Sequence, residues 1–310
     1  MSAIWSDVSA RAKGLSTHLI GGAALRGLAR SADYDSLATA LERTAAADAP
    51  RVERRGVSAE SLELAARRTA AARLATIARW CGDRAEQIAP VFDAEDHRSI
   101  RAALRGATAG SPPEERRAGL IPTPTLPEKA LNELSHQPTP AAVAALLLAW
   151  DHPLAPAILA EARRAQPDLF LLEQALDAGF AARAAPIARR DGAPLKDFVH
   201  ILAVAQRTWT ALAAEDPEKA LEPLRNALPH TELGKLLAQG VPDAGEVDRA
   251  TLATLLETER RHAREDPLGL GPVIYYITRL RTEMRDLVYI AWGIALGAPR
   301  QQLSDGVVSP

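Results

Sequence analysis

The side chains that could do chemistry are scattered along this sequence rather than gathered into a motif. None of the seven histidines has the His-Glu-x-x-His or His-x-x-x-His spacing of metal sites on helices. No Gly-x-x-x-x-Gly-Lys-Ser/Thr loop is present to hold nucleotide phosphates with its backbone. Gly269 and Gly271 form a Gly-x-Gly pair, but no strand is predicted before them, so we interpret this segment as a hinge at a helix start.

Three local groups of reactive side chains have structural interpretations. His262 follows Glu259 by three residues, which predicts a solvated pair on the polar face of a helix. Asp151 and His152 are adjacent, so they would point to different helix faces, and a turn is the better interpretation. The single cysteine, Cys81, excludes an internal disulfide and predicts a buried thiol near a helix end. We therefore predict no catalytic residue, no metal ligand and no cofactor.

Three arginines are the candidate contact for a partner. Arg98, Arg101 and Arg105 recur at helical spacing and would lie on one face of a helix. Such a face could bind an acidic surface, and the alternative is an ordinary solvated face. The sequence leaves both interpretations open.

Composition indicates which elements must position these residues. The chain has 310 residues, of which 47% are apolar, 25% charged and only 4% aromatic. Alanine, leucine, arginine and glutamate are abundant and favour helix, whereas the β-branched and aromatic residues of strands are scarce. We predict an all-α fold. The formal net charge of -2 argues against a nucleic-acid-binding protein, and the single cysteine is typical of a reducing cytoplasm.

Turn and capping signals divide the chain into helices. Ser58 and Ser61 are candidate caps of a long helix, and Thr125 with Glu128 has the spacing of a capping box. Arg51 to Gly56 forms a charged break. The predicted helices cover 8–30, 34–45, 58–80, a segment opened by Asp93 or Asp96, 125 onward, 139–150, 154–165, 168–190, 194–214, a short segment from 216, 248–264 and a terminal helix from Pro272 to Gly297.

The terminal helix has the clearest pattern. Seven apolar residues recur at spacings of three or four and form one stripe, which predicts a helix at the centre of its domain. Thr278 lies off this stripe and is predicted to face outward. No apolar run reaches the roughly 20 residues needed to cross a bilayer. The stripe consists of Val273, Ile277, Leu280, Met284, Leu287, Ala291 and Ile294.

A weak threefold repeat underlies these helices. In each third of the chain an acidic residue precedes a branched apolar residue by four positions, within a late helix of that third. Together with the polar linker after Gly110 and the start signal at Asp216, the repeat predicts three units at 1–118, 119–215 and 216–310. The repeat pairs are Asp96 with Ile100, Asp197 with Ile201, and Glu283 with Leu287.

Several segments together resemble a known family. They are the opening segment Ala10-Arg-Ala-Lys-Gly-Leu-Ser-Thr-His-Leu, the helix Glu95-Asp-His-Arg-Ser-Ile-Arg-Ala-Ala-Leu-Arg-Gly, the segment His152-Pro-Leu-Ala-Pro-Ala and the closing stretch from Asp266-Pro-Leu-Gly to Val308-Ser-Pro. This pattern resembles the C subunits of the bacterial V-type (A/V-type) ATPases, a family that includes the d subunits of the eukaryotic V-type ATPases. The likeness spans nearly the whole chain. Asparagines common in the family are replaced by Ser99, His200 and Asp286.

The resemblance implies a fold and a role. The fold would be a funnel of three similar helical lobes in a pseudo-threefold arrangement. Its cavity would receive the central shaft, made of the D and F subunits, and its base would sit on the proteolipid rotor ring. The chain would then be a non-catalytic coupling component in the cytoplasm, touching the membrane only through the ring. The alternative that composition leaves open is a soluble helical scaffold of unrelated function, and a third, an α-helical hydrolase or transferase, lacks converging site residues.

Overall fold

A computed structural model describes residues 5–43 and 58–310. These residues contain helices and no strand, which confirms the predicted all-α class. Two 3-10 turns, Gly82–Arg84 and Glu222–Leu224, interrupt the series. The α-helices are α1 (Ser6–Ser16), α2 (Gly22–Leu28), α3 (Tyr34–Glu42), α4 (Ala59–Cys81), α5 (Ala85–Ala109), α6 (Pro113–Arg117), α7 (Glu128–Ser135), α8 (Pro140–Ala149), α9 (Ala155–Ala162), α10 (Leu169–Asp191), α11 (Ala193–Leu212), α12 (Pro217–Leu221), α13 (Glu232–Ala238), α14 (Ala244–Glu265), α15 (Gly271–Ala295) and α16 (Arg300–Asp305).

The long helices come in three consecutive pairs, which are α4 with α5, α10 with α11, and α14 with α15. The second helix of each pair packs along the first helix of the next pair, so that α5 lies on α10 and α11 lies on α14. The last helix, α15, closes the series by packing back on α4. The helix pairs thus close into a cycle, and the three-lobed pseudo-threefold arrangement stays a prediction. The lobe boundaries at 118/119 and 215/216 stay a prediction.

Several helices begin where capping chemistry predicts. The Ser58 hydroxyl accepts from the backbone N–H of Ser61 at the start of α4, and the Ser61 hydroxyl accepts in turn from the backbone N–H of Ser58. Thr139 caps α8 and Asp216 caps α12 in a similar way, each accepting from a backbone N–H three residues later. Each cap satisfies a donor that the first helical turn leaves unpaired, typically contributing about 1 kcal/mol.

Three predicted helix limits are wrong. The helix predicted over 8–30 is two helices, separated by a bend that leaves the Ile20 N–H free to donate to Glu283. Neither Asp93 nor Asp96 starts a helix, because α5 begins at Ala85 and continues through Pro90 to bury its apolar face. Thr125 does not cap α7; its hydroxyl donates to Asp96 instead.

One further prediction cannot be compared with the structure in full. The charged break at Arg51 to Gly56 lies outside the described residues, as does the end of the helix predicted over 34–45. Within the described part, α3 ends at Glu42 with Arg43 at its C-cap position.

Helix α15 is enclosed on several sides by α1, α4 and α14. Its apolar stripe is buried from Val273 to Ala291, and Ile294 is half-buried. The expectation that Thr278 faces outward is wrong, because this residue is 0% exposed. Polar residues of an amphipathic helix usually face solvent, but a helix covered by three others has no solvent face to give them. The helix stops as predicted, with Gly297 at a positive φ of 69°.

We expect the two faces of α15 to respond oppositely to mutation. Ile277→Ala should lower the free energy of unfolding by about 2–5 kcal/mol, because it leaves a cavity in a packed core. Thr278→Val should leave stability unchanged or raise it by up to about 1 kcal/mol, because the buried Thr278 hydroxyl has no hydrogen-bond acceptor among the described atoms. Chemical denaturation followed by circular dichroism measures both. Equal losses in the two variants would contradict this packing.

Candidate functional site

The repeat positions lie in α5, α11 and α15, the second helix of each pair. Their apolar members, Ile100, Ile201 and Leu287, are all buried. Their acidic members are Asp96, Asp197 and Glu283, and each binds a different element of the chain. The three acids therefore serve as junctions between elements.

Asp96 is fully buried in α5 and holds the segment that leads toward α7. Its carboxylate accepts hydrogen bonds from the hydroxyls of Thr123 and Thr125. The ring Nε2 of His152 lies 3.2 Å from the same carboxylate. His152 thus pairs with a residue far away in sequence, while Asp151 beside it adopts a positive φ of 52° in the predicted turn.

Asp197 and Glu283 reach into the next helix pair. Asp197 on α11 lies 2.8 Å from Nε2 of His262 on α14. Glu283 on α15 accepts from Arg73 on α4 at 3.0 Å and from the backbone N–H of Ile20. Burial raises the pKa of Glu283 to about 7, although the charge of Arg73 opposes the rise.

The prediction of a solvated Glu259–His262 pair is wrong. Glu259 is 0% exposed and His262 is also buried, because α14 packs between α11 and α15. Neither carboxylate oxygen of Glu259 has a hydrogen-bond partner among the described atoms. Burial raises the pKa of Glu259 well above its usual range, and the negative charge of Asp197 adds to the effect. Its surroundings therefore favour the protonated, neutral form of the Glu259 carboxyl.

Cys81 occupies the end of α4, fully buried, as the sequence predicts. Burial raises the pKa of its thiol to about 11. A thiol with so high a pKa carries almost no thiolate at neutral pH, so it packs as a small apolar side chain.

The three predicted contact arginines have different environments on α5. Arg101 Nη2 lies 2.5 Å from Asp177 Oδ1, and Arg105 holds both carboxylate oxygens of Glu173, so α10 already neutralises these two. Arg98 is exposed. Their role in binding a partner stays a prediction.

All three arginines line one cavity of about 420 Å³. It lies where all three helix pairs meet, with walls from α5, α11, α14 and α15. Apolar side chains of α11 and α14, including Leu202, Trp209 and Leu252, form one side. The sequence identified the arginines by their spacing, but nothing in it showed that they face α11 and α14.

Arg281 of α15 also lines this cavity, and the sequence analysis did not single it out. It is 4% exposed and its Nε pairs with the carboxylate of Glu95 on α5. Burial lowers the pKa of Arg281, Glu95 raises it, and the charge of Arg98 lowers it further. Its Nη1 has no hydrogen-bond partner in the described part of the chain. What distinguishes Arg281 is its ion pair with α5, and a pair between residues so far apart in the chain cannot be recognised from the sequence.

The cavity combines apolar walls with cationic side chains. Between residues 5–43 and 58–310, no cluster of three or more potential metal ligands occurs. No helix in the same ranges is long and apolar enough to span a bilayer. A concave surface with apolar walls and a few cationic groups is the kind of site that binds another molecule. The fold and the cavity thus define an all-helical protein with a concave, arginine-lined surface between its helix pairs.

Comparison with known proteins identifies the family. The family model for the ATP synthase (C/AC39) subunit matches residues 8–204 and 209–305. The chain therefore belongs to this family, as the sequence resemblance predicts. Similar relatives are the V-type ATP synthase C subunits of two strains of Thermus thermophilus. Each is 26% identical to this chain over 251 residues, which cover 74% of this chain and 76% of the relative.

We expect Glu259 to make stability depend on pH. An unfolded glutamate ionises near pH ~4.3, whereas the folded protein keeps the Glu259 proton to higher pH. The pH-dependent part of the cost of burying Glu259 is thus absent below about pH 4, and stability is lost as pH rises from there toward the folded pKa. Glu259→Gln should reduce this slope by up to about 1.4 kcal/mol per pH unit, measured by denaturation between about pH 5 and 8.

The matched control is Glu257→Gln, which changes an exposed carboxylate on the same helix. Glu283 also has a raised pKa and contributes its own slope up to about pH 7, so wild type and both variants are compared at each pH. If Glu259→Gln and Glu257→Gln gave the same slope, the pKa of Glu259 would not be raised in the folded protein.

Proposed function

We propose that this chain is the socket component of a rotary V-type ATPase or ATP synthase. In this role it binds the D and F shaft subunits in its cavity and rests on the proteolipid ring. It transmits torque between ATP chemistry in the soluble head and ion flow at the membrane, without catalysing either. It lies on the cytoplasmic side and touches the membrane only through the ring. The family match over nearly the whole chain carries this proposal.

The way the helix pairs are joined suits a part that transmits torque. A polar or charged pair crosses each junction between neighbouring pairs, namely Asp93 with Arg183, Asp197 with His262, and Glu283 with Arg73. Each junction also includes a long helix–helix contact. Interfaces that are packed and held by directed polar contacts resist sliding, because a shift would leave buried charges unpaired. A socket needs this stiffness, since soft joints would absorb the twist of the shaft.

Deleting the gene for this chain should separate the two activities of the machine. We expect ATP hydrolysis by the soluble head to continue in membranes from the deletion strain, while ion pumping driven by that hydrolysis is lost. Hydrolysis and pumping are measured on the same vesicles, with the restored gene as the control. Pumping at normal efficiency in a deletion strain with an otherwise intact complex would refute the coupling role.

Binding and turnover measurements on the purified chain distinguish the remaining functional alternatives. On the proposed role, the purified chain binds the D–F subcomplex and hydrolyses no ATP. A scaffold of unrelated function would bind neither the D–F subcomplex nor membranes that contain the ring. Turnover of nucleotide by the purified chain would instead favour an enzyme.

A further inference from the structure

Four arginines line the cavity between α5, α11, α14 and α15. Two of them, Arg101 and Arg105, are paired with carboxylates of α10. The other two are Arg98, which is exposed, and Arg281, which is buried deeper, and both lie near the carboxylates of Glu95 and Asp248. Arg98 and Arg281 line the same cavity, and the charge of Arg98 is close enough to act on Arg281. An anion placed between them would relieve their repulsion.

The deep guanidinium has a free donor. Arg281 forms an ion pair with Glu95 through its Nε, and its buried Nε and Nη1 have no hydrogen-bond acceptor with good geometry among the described residues. Asp248 lines the same cavity, but it lies 3.6 Å from Arg285, which shares its charge. A buried donor without a partner costs roughly 1–3 kcal/mol, and more when it is charged. An incoming oxyanion that accepts from Nη1 would remove this cost.

The remaining walls restrict the kind of anion. Leu202, Ala205, Trp209, Leu252 and Leu255 present apolar surface from α11 and α14. A free hydrated anion such as phosphate would leave this surface in contact with water. A carboxylate carried on an apolar body would cover it and gain roughly 25 cal/mol for each Å² removed from water.

We propose that the cavity binds an acidic side chain carried on an apolar segment of the shaft, and that Arg281 and Arg98 receive its carboxylate. This inference rests on the proposed function for the identity of the partner. Arg98 meets the carboxylate at the mouth of the cavity and Arg281 Nη1 binds it deeper. The ion pairs of Arg101 and Arg105 with α10 hold the α5 wall in place and do not contact the ligand.

The test measures the affinity of the purified chain for the D–F subcomplex at several salt concentrations. Arg98→Ala should weaken binding at least about 10-fold and reduce its dependence on salt, because it removes an interface charge. The double variant Arg281→Met with Glu95→Gln removes the deep cation and its internal partner together, so that no buried charge is left alone. It should weaken binding about 30-fold or more. Arg207→Ala, an exposed arginine of α11 outside the cavity, is the matched control and should bind as wild type.

The outcomes separate the inference from the proposed function. If wild type binds the subcomplex and Arg98→Ala binds equally well at every salt concentration, the carboxylate site is refuted while the coupling role stands. If wild type itself does not bind, the proposed function fails. Circular dichroism establishes that each variant is folded, and Arg98→Ala decides the result should the double variant not fold.

A second measurement distinguishes a protein-borne carboxylate from a free anion. Thermal unfolding of the chain alone is recorded with millimolar phosphate, acetate or ATP. We expect no shift that depends on Arg98. Stabilisation of wild type but not of Arg98→Ala by one of these anions, with unchanged affinity for the subcomplex, would assign the cavity to a small molecule and overturn the proposal.

Discussion

The structure depends on pairing the charges that α15 buries. Glu283 and Arg281 lie on different sides of this enclosed helix, and their partners Arg73 and Glu95 come from α4 and α5. An unpaired ion in such surroundings costs several kcal/mol, which is a large part of the stability of a typical domain. Helix α15 can therefore be buried only when helices from the first third of the chain are already beside it. The packing of α15 against helices from the first third of the chain therefore depends on ion pairs as well as on apolar contact.

The requirement that a buried charge has partners also applies at the C-terminal end of the described chain. Asp286 of α15 is fully buried and accepts hydrogen bonds from the backbone N–H groups of Val308 and Ser309. Its other oxygen pairs with Arg285. The Pro310 carbonyl then accepts from the N–H of Gly22 at the start of α2. A carboxylate offers two acceptor oxygens, so Asp286 can serve all these donors at once.

The helices and the apolar core could be predicted from the sequence, whereas the burial of individual polar residues could not. The all-α class, the caps at Ser58 and Thr139 and the apolar stripe of α15 follow from local rules of periodicity and end capping, and the structure confirms them. Thr278 and Glu259 were assigned to solvent because a polar residue on an amphipathic helix usually faces water. That rule fails for α14 and α15, since α14 is covered by α11, α13 and α15, and α15 by α1, α4 and α14. Local spacing carries no information about such coverage.

The candidate site shows the same division between local and distant information. The spacing of Arg98, Arg101 and Arg105 was visible in the sequence, but the acids of α10 that neutralise two of them were not. Nor could the chain's net charge of -2 show that four arginines line one cavity. Arg281 enters this cavity from the other end of the chain. A cavity assembled from all three helix pairs exists only once the pairs have closed on one another, so its chemistry is a property of the closed fold. The ion pairs that close the fold and the cations that line the cavity belong to the same helices, so a change that weakens the closure also disturbs the cavity.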